Sequence, residues 1–201
     1  HSSGALIMGK SETTELAFLN PSRTKNPHDY SRTPGGSSSG SAAAVPTYMA
    51  PLSIGSQTGG SVIRPASYCG VVGYKPSYGL ISRNGVLKTS ERLDHIGVFG
   101  KSVKDVALLA KVLIKKDSFD KATIYFSSEN FLKAIEKGPL YEPKFIFYKT
   151  EFWKNIEKKS KESFEYFIKS FKKNIEVFDT PSYFKDIHKY HQIIHETDLA
   201  N

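Results

Sequence analysis

Two glycine- and serine-rich stretches most constrain how this chain can fold. They are Gly35-Gly36-Ser37-Ser38-Ser39-Gly40-Ser41 and Gly55-Ser56-Gln57-Thr58-Gly59-Gly60-Ser61, and between them lies the apolar run Ala42-Ala43-Ala44-Val45. So much glycine weakens any helix or strand, because each glycine loses the most conformational freedom on folding. On composition alone, residues 35–41 would be a flexible linker. The helix-forming alanines that follow, and a second such loop after the apolar Leu52–Ile54, argue instead for two ordered turns between packed elements. Twelve of the fifteen glycines fall between Gly35 and Gly100. A loop-dominated centre therefore precedes a differently built second half.

Residues 5–20 read as a short strand at Ala5–Met8, a Gly9 turn and a small helix near Thr13–Phe18. Residues 21–36 carry Pro21, Pro27 and Pro34 and are mostly loop. A helix is predicted over Ser41–Ala50, shortened or kinked by Pro46. A buried strand follows at Pro51–Ser56, and Gly70–Tyr74 is a further apolar segment. Over Ser102–Lys115, residues Val103, Val106, Ala107, Ala110, Leu113 and Ile114 share a helical face, with Ser102 as cap and Asp105 three residues on. Further elements are a helix at Glu129–Lys137, a buried strand at Lys144–Lys149 and a strand at Glu176–Phe178. Pro181–Asn201 reads as a loop leading into a helix. Ile156, Ser160, Phe164, Phe167, Phe171 and Ile175 recur at helical spacing, which predicts an aromatic stripe packed into the core. This alternation of strands and helices is the α/β pattern.

The formal charge of +8 raises a nucleic-acid reading. Arginine, whose planar fork dominates phosphate and base recognition, is absent after Arg92. The lysines that replace it alternate with glutamates, as in Glu157-Lys158-Lys159-Ser160-Lys161-Glu162, which is the pattern of a solvated helix face. No nucleic-acid partner is expected. No apolar run approaches the ~20 residues of a membrane span, so none is expected to enter a membrane. The single cysteine, Cys69, lies in an apolar stretch and reads as an inert buried thiol of a protein from the reducing cytoplasm.

The turn Thr58-Gly59-Gly60-Ser61 carries the clearest chemistry. Glycines without Cβ let successive N–H groups converge on one point, and a serine at the end of such a nest can attack a carbonyl while those groups hold the oxyanion. A structural turn and a phosphate cradle are the alternatives, although Gly60-Ser61-Val62 has no P-loop lysine. A serine needs a base. Of six histidines only His95 lies near the central block, and no Gly-x-Ser-x-Gly elbow surrounds Ser61.

With Arg64-Pro65-Ala66 and Cys69-Gly70-Val71-Val72-Gly73 following, the two serine turns resemble the amidase signature family, most strongly over residues 8–112. The resemblance implies a mixed central β-sheet covered by helices on both faces, and no cofactor or metal. It implies an acyl-serine mechanism with Ser61 as nucleophile and Ser37, in a cis peptide, as proton relay. Thr58, Gly59 and Gly60 would form the oxyanion hole, with Ser38, Ser39 and Gln57 supporting it. The family's final base is a lysine upstream of the first loop. Lys10 and Lys75 match other family positions, so the base is expected outside this chain. Residues 1–201 thus read as part of an amidase domain, an interior fragment inactive alone.

Two activities fit the resemblance. One is hydrolysis of a small-molecule carboxamide to carboxylate and ammonia, with a homodimer compatible. The other is the A subunit of an aminoacyl-tRNA amidotransferase, and a non-catalytic binding protein is a third reading. Transferase subunits typically read Gly-Ser-Asp-Thr-Gly-Gly-Ser-Ile-Arg-Gln-Pro. Here Gln57 replaces the aspartate, Arg64 falls one place later, and Ser37-Ser38-Ser39-Gly40 replaces Ser-Ser-Gly-Gly. All three departures resemble the hydrolase branch. Arg64 and Asp94 read as structural, Arg64 through ion pairs between loops and Asp94 beside a turn at Gly97.

Overall fold

The computed structural model describes residues 2–171 and 174–200. His1 and Asn201 lie outside the described residues. The chain divides into two compact units, residues 1–136 with 194–201, and residues 137–193.

In the first unit the elements run α1 (Ser39–Ala44), β1 (Leu52–Gln57), α2 (Ile63–Cys69), β2 (Val72–Tyr74), β3 (His95–Gly100), α3 (Val103–Leu113) and α4 (Phe131–Lys137). The strands form an antiparallel sheet in the order β1-β3-β2, with Gln57 opposite His95 and Tyr74 opposite Val98. Side chains alternate across the central strand as the pleat requires. Phe99 packs with Ala42, Ala43, Val45, Val62, Ala66 and Cys69 from α1, α2 and their flanks. Ile96 and Val98 pack with Val106, Ala110 and Ile114 on the α3 side. Helices therefore cover both faces, as expected.

β3 and α2 are absent from the sequence expectation. Gly97, read as a turn, sits in mid-strand, where a Cβ would lie 2.6 Å from Val62 Cγ2. The predicted strand at Ala5–Met8 does not form, and Leu6 is 85% exposed. The helix near Thr13–Phe18 is a single 3₁₀ turn at Glu15–Ala17. The helix predicted to Ala50 ends at Ala44, two residues before Pro46, whose ring cannot continue it. β1 matches its predicted position but is half-buried rather than buried. α3 carries the capping box read from the sequence: Ser102 Oγ accepts from Asp105 N (3.2 Å) and Asp105 Oδ2 from Ser102 N (2.9 Å). Val106, Ala107, Ala110 and Ile114 are buried, whereas Val103 is exposed.

In the second unit, β4 (Phe145–Lys149) and β5 (Ile175–Asp179) form a parallel pair joined through α5 (Lys158–Ser170), and α6 (Ile187–Ala200) continues into the first unit. β4, predicted as buried, is largely exposed. The aromatic stripe also departs from expectation, since α5 has no buried residue and Phe167 is 52% exposed. Its rings instead pair with the sheet: Phe147 with Phe164 (5.9 Å between centroids) and Phe145 with Phe171 (4.6 Å). Two strands and one helix offer too little apolar area to enclose such a stripe. No helix among the described residues is long and apolar enough to cross a membrane.

Candidate active site

The first serine turn is held by its own hydroxyls and by the segment before it. Gly36–Ser37 is a cis peptide bond. The Ser37 carbonyl accepts from Thr14 N (3.1 Å), Thr13 Oγ1 (2.8 Å) and Ser39 N (2.8 Å). Ser39 Oγ donates to the Gly35 carbonyl (2.9 Å). Ser38 Oγ donates to the Ser56 carbonyl (3.1 Å) and accepts from Ser56 N (3.2 Å), which stitches the loop to β1. Only glycine fits at position 55, since a Cβ there would lie 2.5 Å from Ser38 Oγ.

The second turn leaves the end of β1 and enters α2. Gly60 has φ +111°, a conformation natural to glycine alone. Gln57 Oε1 accepts from both Val62 N (3.0 Å) and Ile63 N (3.1 Å), so a side-chain carbonyl satisfies two of the first free donors of α2. Thr58 Oγ1 donates to Asp94 Oδ1 (2.5 Å). The N–H groups of Gly59, Gly60 and Ser61 have no protein acceptor among the described residues.

Arg64 brings the two turns together. Its Nε (3.3 Å) and Nη2 (2.9 Å) donate to the Gly36 carbonyl, the one directly before Ser37. Arg64 therefore ties the loops through a carbonyl rather than through the predicted ion pairs. Ser37 (4% exposed) and Ser61 (8%) are both buried, and neither hydroxyl has a partner among the described residues. Ser38, Ser39 and Gln57 thus support the turns, while Ser37 and Ser61 keep their hydroxyls unengaged.

The other titratable groups are engaged elsewhere. His95 Nδ1 lies 2.6 Å from the Leu93 carbonyl, and burial pushes the imidazole below its usual value. Lys75 Nζ donates to the Pro76 carbonyl (2.9 Å), and burial lowers its ammonium in the same way. His28 Nε2 meets the Cys69 carbonyl (2.8 Å). Cys69 is buried and its thiol is pushed up to about 11 by that burial. Among the described residues no group of three or more His, Cys, Asp or Glu side chains is placed to hold a metal ion.

One support escaped the sequence reading, and for a second, Asp94, read as structural beside a turn, the partner was missed. The Thr13-Thr14 segment carries no motif that foretells its grip on Ser37. Asp94 faces Thr58 because antiparallel pairing of Gln57 with His95 puts the next residues of each strand opposite one another.

Known proteins resemble this chain in sequence and fold. The amidase family profile matches residues 1–197. The A subunit (form 2) of the glutamyl-tRNA(Gln) amidotransferase of Clostridium acetobutylicum is 46% identical over 67% of this chain and 30% of its own length. The structure of the glutamyl-tRNA(Gln) amidotransferase A subunit from Thermotoga maritima superposes with a TM-score of 0.81 at 37% identity, covering 96% of this chain and 44% of that one. An amidase family protein from Bacillus anthracis superposes with a TM-score of 0.75 at 30% identity, over 89% of this chain and 38% of that one. The chain spans less than a third of the length of the curated relatives it matches. A profile match across nearly all residues, the superpositions and the paired serine turns lead to one conclusion: the chain belongs to the amidase family.

Proposed function

We propose that this chain forms the serine-bearing part of an enzyme that cleaves a carboxamide through an acyl-serine ester. Ser61 Oγ attacks the carbonyl carbon, and its proton leaves through Ser37 Oγ toward a base. The developing oxyanion sits at the N–H groups of Thr58, Gly59 and Gly60. Collapse expels the amine, which takes up the proton and departs as ammonia. Water then attacks the ester, releasing the carboxylate and restoring the Ser61 hydroxyl. The base is assigned to a lysine outside residues 1–201, because the family resemblance places it upstream of the first serine loop; Lys75 Nζ donates to the Pro76 carbonyl. One observation carries this reading: Arg64 clamps the peptide before Ser37 from the helix that follows Ser61, so two buried, unengaged serines belong to one cross-linked unit.

Two fates of the ammonia remain in competition. Gln57 in place of an aspartate, the later arginine and the Ser39-bearing first loop favour release as product, in a free-standing hydrolase. Curated relatives at 43–47% identity, all amidotransferase A subunits, favour transfer to a partner's substrate. Ammonia release by the full-length protein from simple carboxamides and from free glutamine, each without partners, separates them. Robust turnover of simple amides alone supports the hydrolase. Turnover that needs glutamine and further subunits supports the transferase.

A further inference from the structure

The Asp94 carboxylate lies behind the oxyanion turn and accepts four hydrogen bonds. Oδ1 accepts from Thr58 Oγ1 (2.5 Å) and Thr89 Oγ1 (3.2 Å), and Oδ2 accepts from Thr89 N (2.6 Å) and Ser90 N (2.9 Å). Asp94 is only 7% exposed, and Thr89 and Ser90 are buried with it. Thr58 and Thr89 also share a hydroxyl contact of 3.1 Å. The loop is anchored a second time: Ser90 Oγ donates to Asp198 Oδ2 (2.5 Å) and accepts from Leu93 N (3.1 Å). Arg92 joins Asp198 through its backbone N and Nη1, both at 3.3 Å.

Thr58 is the first residue past β1, where ladder pairing ends. Its hydroxyl contacts with Asp94 and Thr89 help to set the path of the chain into the turn there. A carboxylate whose two oxygens are both saturated by buried donors is a rigid acceptor, because turning it would strand several of those donors. We propose that Asp94 is a positioning residue for amide cleavage. It grips the Thr58 hydroxyl, and so aims the Thr58 N–H at the point where the oxyanion forms. Asp94 touches no reacting atom in this scheme and acts through Thr58. The Asp198–Ser90 contact holds the loop that holds Asp94.

This proposal rests on the reading of Ser61 as nucleophile, so the experiment includes Ser61→Ala as a separate control. In the full-length protein, kcat, KM and the affinity of a boronic-acid transition-state mimic are measured for Thr58→Val, Thr58→Ser, Asp94→Ala and Thr58→Val/Asp94→Ala. An oxyanion donor acts on the transition state and not on bound substrate. The expected result is a fall in kcat of about 10- to 100-fold for Thr58→Val and Asp94→Ala, with KM within about twofold. The boronate should weaken by a similar factor. The double variant should be no slower than Asp94→Ala alone, and Thr58→Ser, which keeps the hydroxyl, should recover most of the loss. If Asp94→Ala and Thr58→Val lower only the melting temperature while kcat and boronate affinity stay at wild-type values, Asp94 is a structural residue and the proposal is overturned. A soluble Asp94→Asn variant, which can still accept from Thr58, should fall between Asp94→Ala and wild type. Wild-type turnover by Ser61→Ala would overturn the underlying reading, and this one with it.

Discussion

The Arg64 guanidinium donates to the carbonyl of Gly36 through both Nε and Nη2, so the residue three places after Ser61 grips the peptide bond that leads into Ser37. The two serine turns are thereby fixed to each other by a side chain whose planar fork can deliver two donors to one oxygen. Lysine offers a single mobile ammonium and cannot reproduce that grip. In the full-length protein, Arg64→Lys should therefore lower kcat for the proposed amide cleavage by about tenfold, the effect of a small misplacement of reacting groups. Because Arg64 is exposed, the melting temperature should hardly move. Steady-state kinetics beside thermal melting of the same preparation checks both.

Gln57 closes the nucleophile turn by accepting from Val62 N and Ile63 N. Gln57→Leu removes the acceptor and leaves the buried Val62 N–H unpaired, which should cost about 1–3 kcal/mol. Gln57→Glu keeps an acceptor in place and should cost less. Urea denaturation of the three proteins measures the order.

Arg83 and Asp120 form a pair in which both side chains are 2% exposed. Asp120 Oδ2 accepts from Arg83 N (2.9 Å) and Nε (3.1 Å), and Oδ1 from Nη2 (3.1 Å). The hydrogen bonds from Arg83 hold the Asp120 carboxyl well below the usual carboxylate range. A depressed acid contributes stability above its unfolded value of about 4 and loses it as the pH falls toward the folded value. Wild-type stability should therefore drop more steeply below about pH 4 than that of Asp120→Asn. At neutral pH, Asp120→Asn leaves a buried guanidinium under-compensated and should cost about 3–5 kcal/mol. Denaturation series at several pH values would show both effects.

Cys69 should resist thiol reagents in the native state at pH 8, because burial hides it and holds its thiol near 11. Full labelling should appear only on unfolding. Rapid native labelling, followed by absorbance, would contradict this placement.

The parts of the fold legible in the sequence were those fixed by local chemistry. Ser102 and Asp105 announce the start of α3 because a capping box needs only residues three apart. The serine turns are legible because glycine clusters mark backbone conformations that other residues rarely adopt, as at Gly35 and Gly60. β3 was not legible: Gly97 and Gly100 resemble turn residues, yet they are small because Val62 and the Asp105 Cβ crowd the sheet there. That crowding is a tertiary fact with no local signal. α2 was hidden by Pro65, which is tolerated in a first helical turn but reads as a breaker. The role of Asp94 was hidden with β3, since only strand register sets it against Thr58.

The central claim is that Ser61 is the nucleophile. Its most direct test is mass spectrometry of the full-length protein after rapid acid quench during turnover of a carboxamide, with wild type and Ser61→Ala compared. An acyl adduct on the peptide bearing Ser61, absent from the variant along with ammonia release, is the predicted result. Ammonia release undiminished in Ser61→Ala, or an adduct elsewhere, would contradict the assignment.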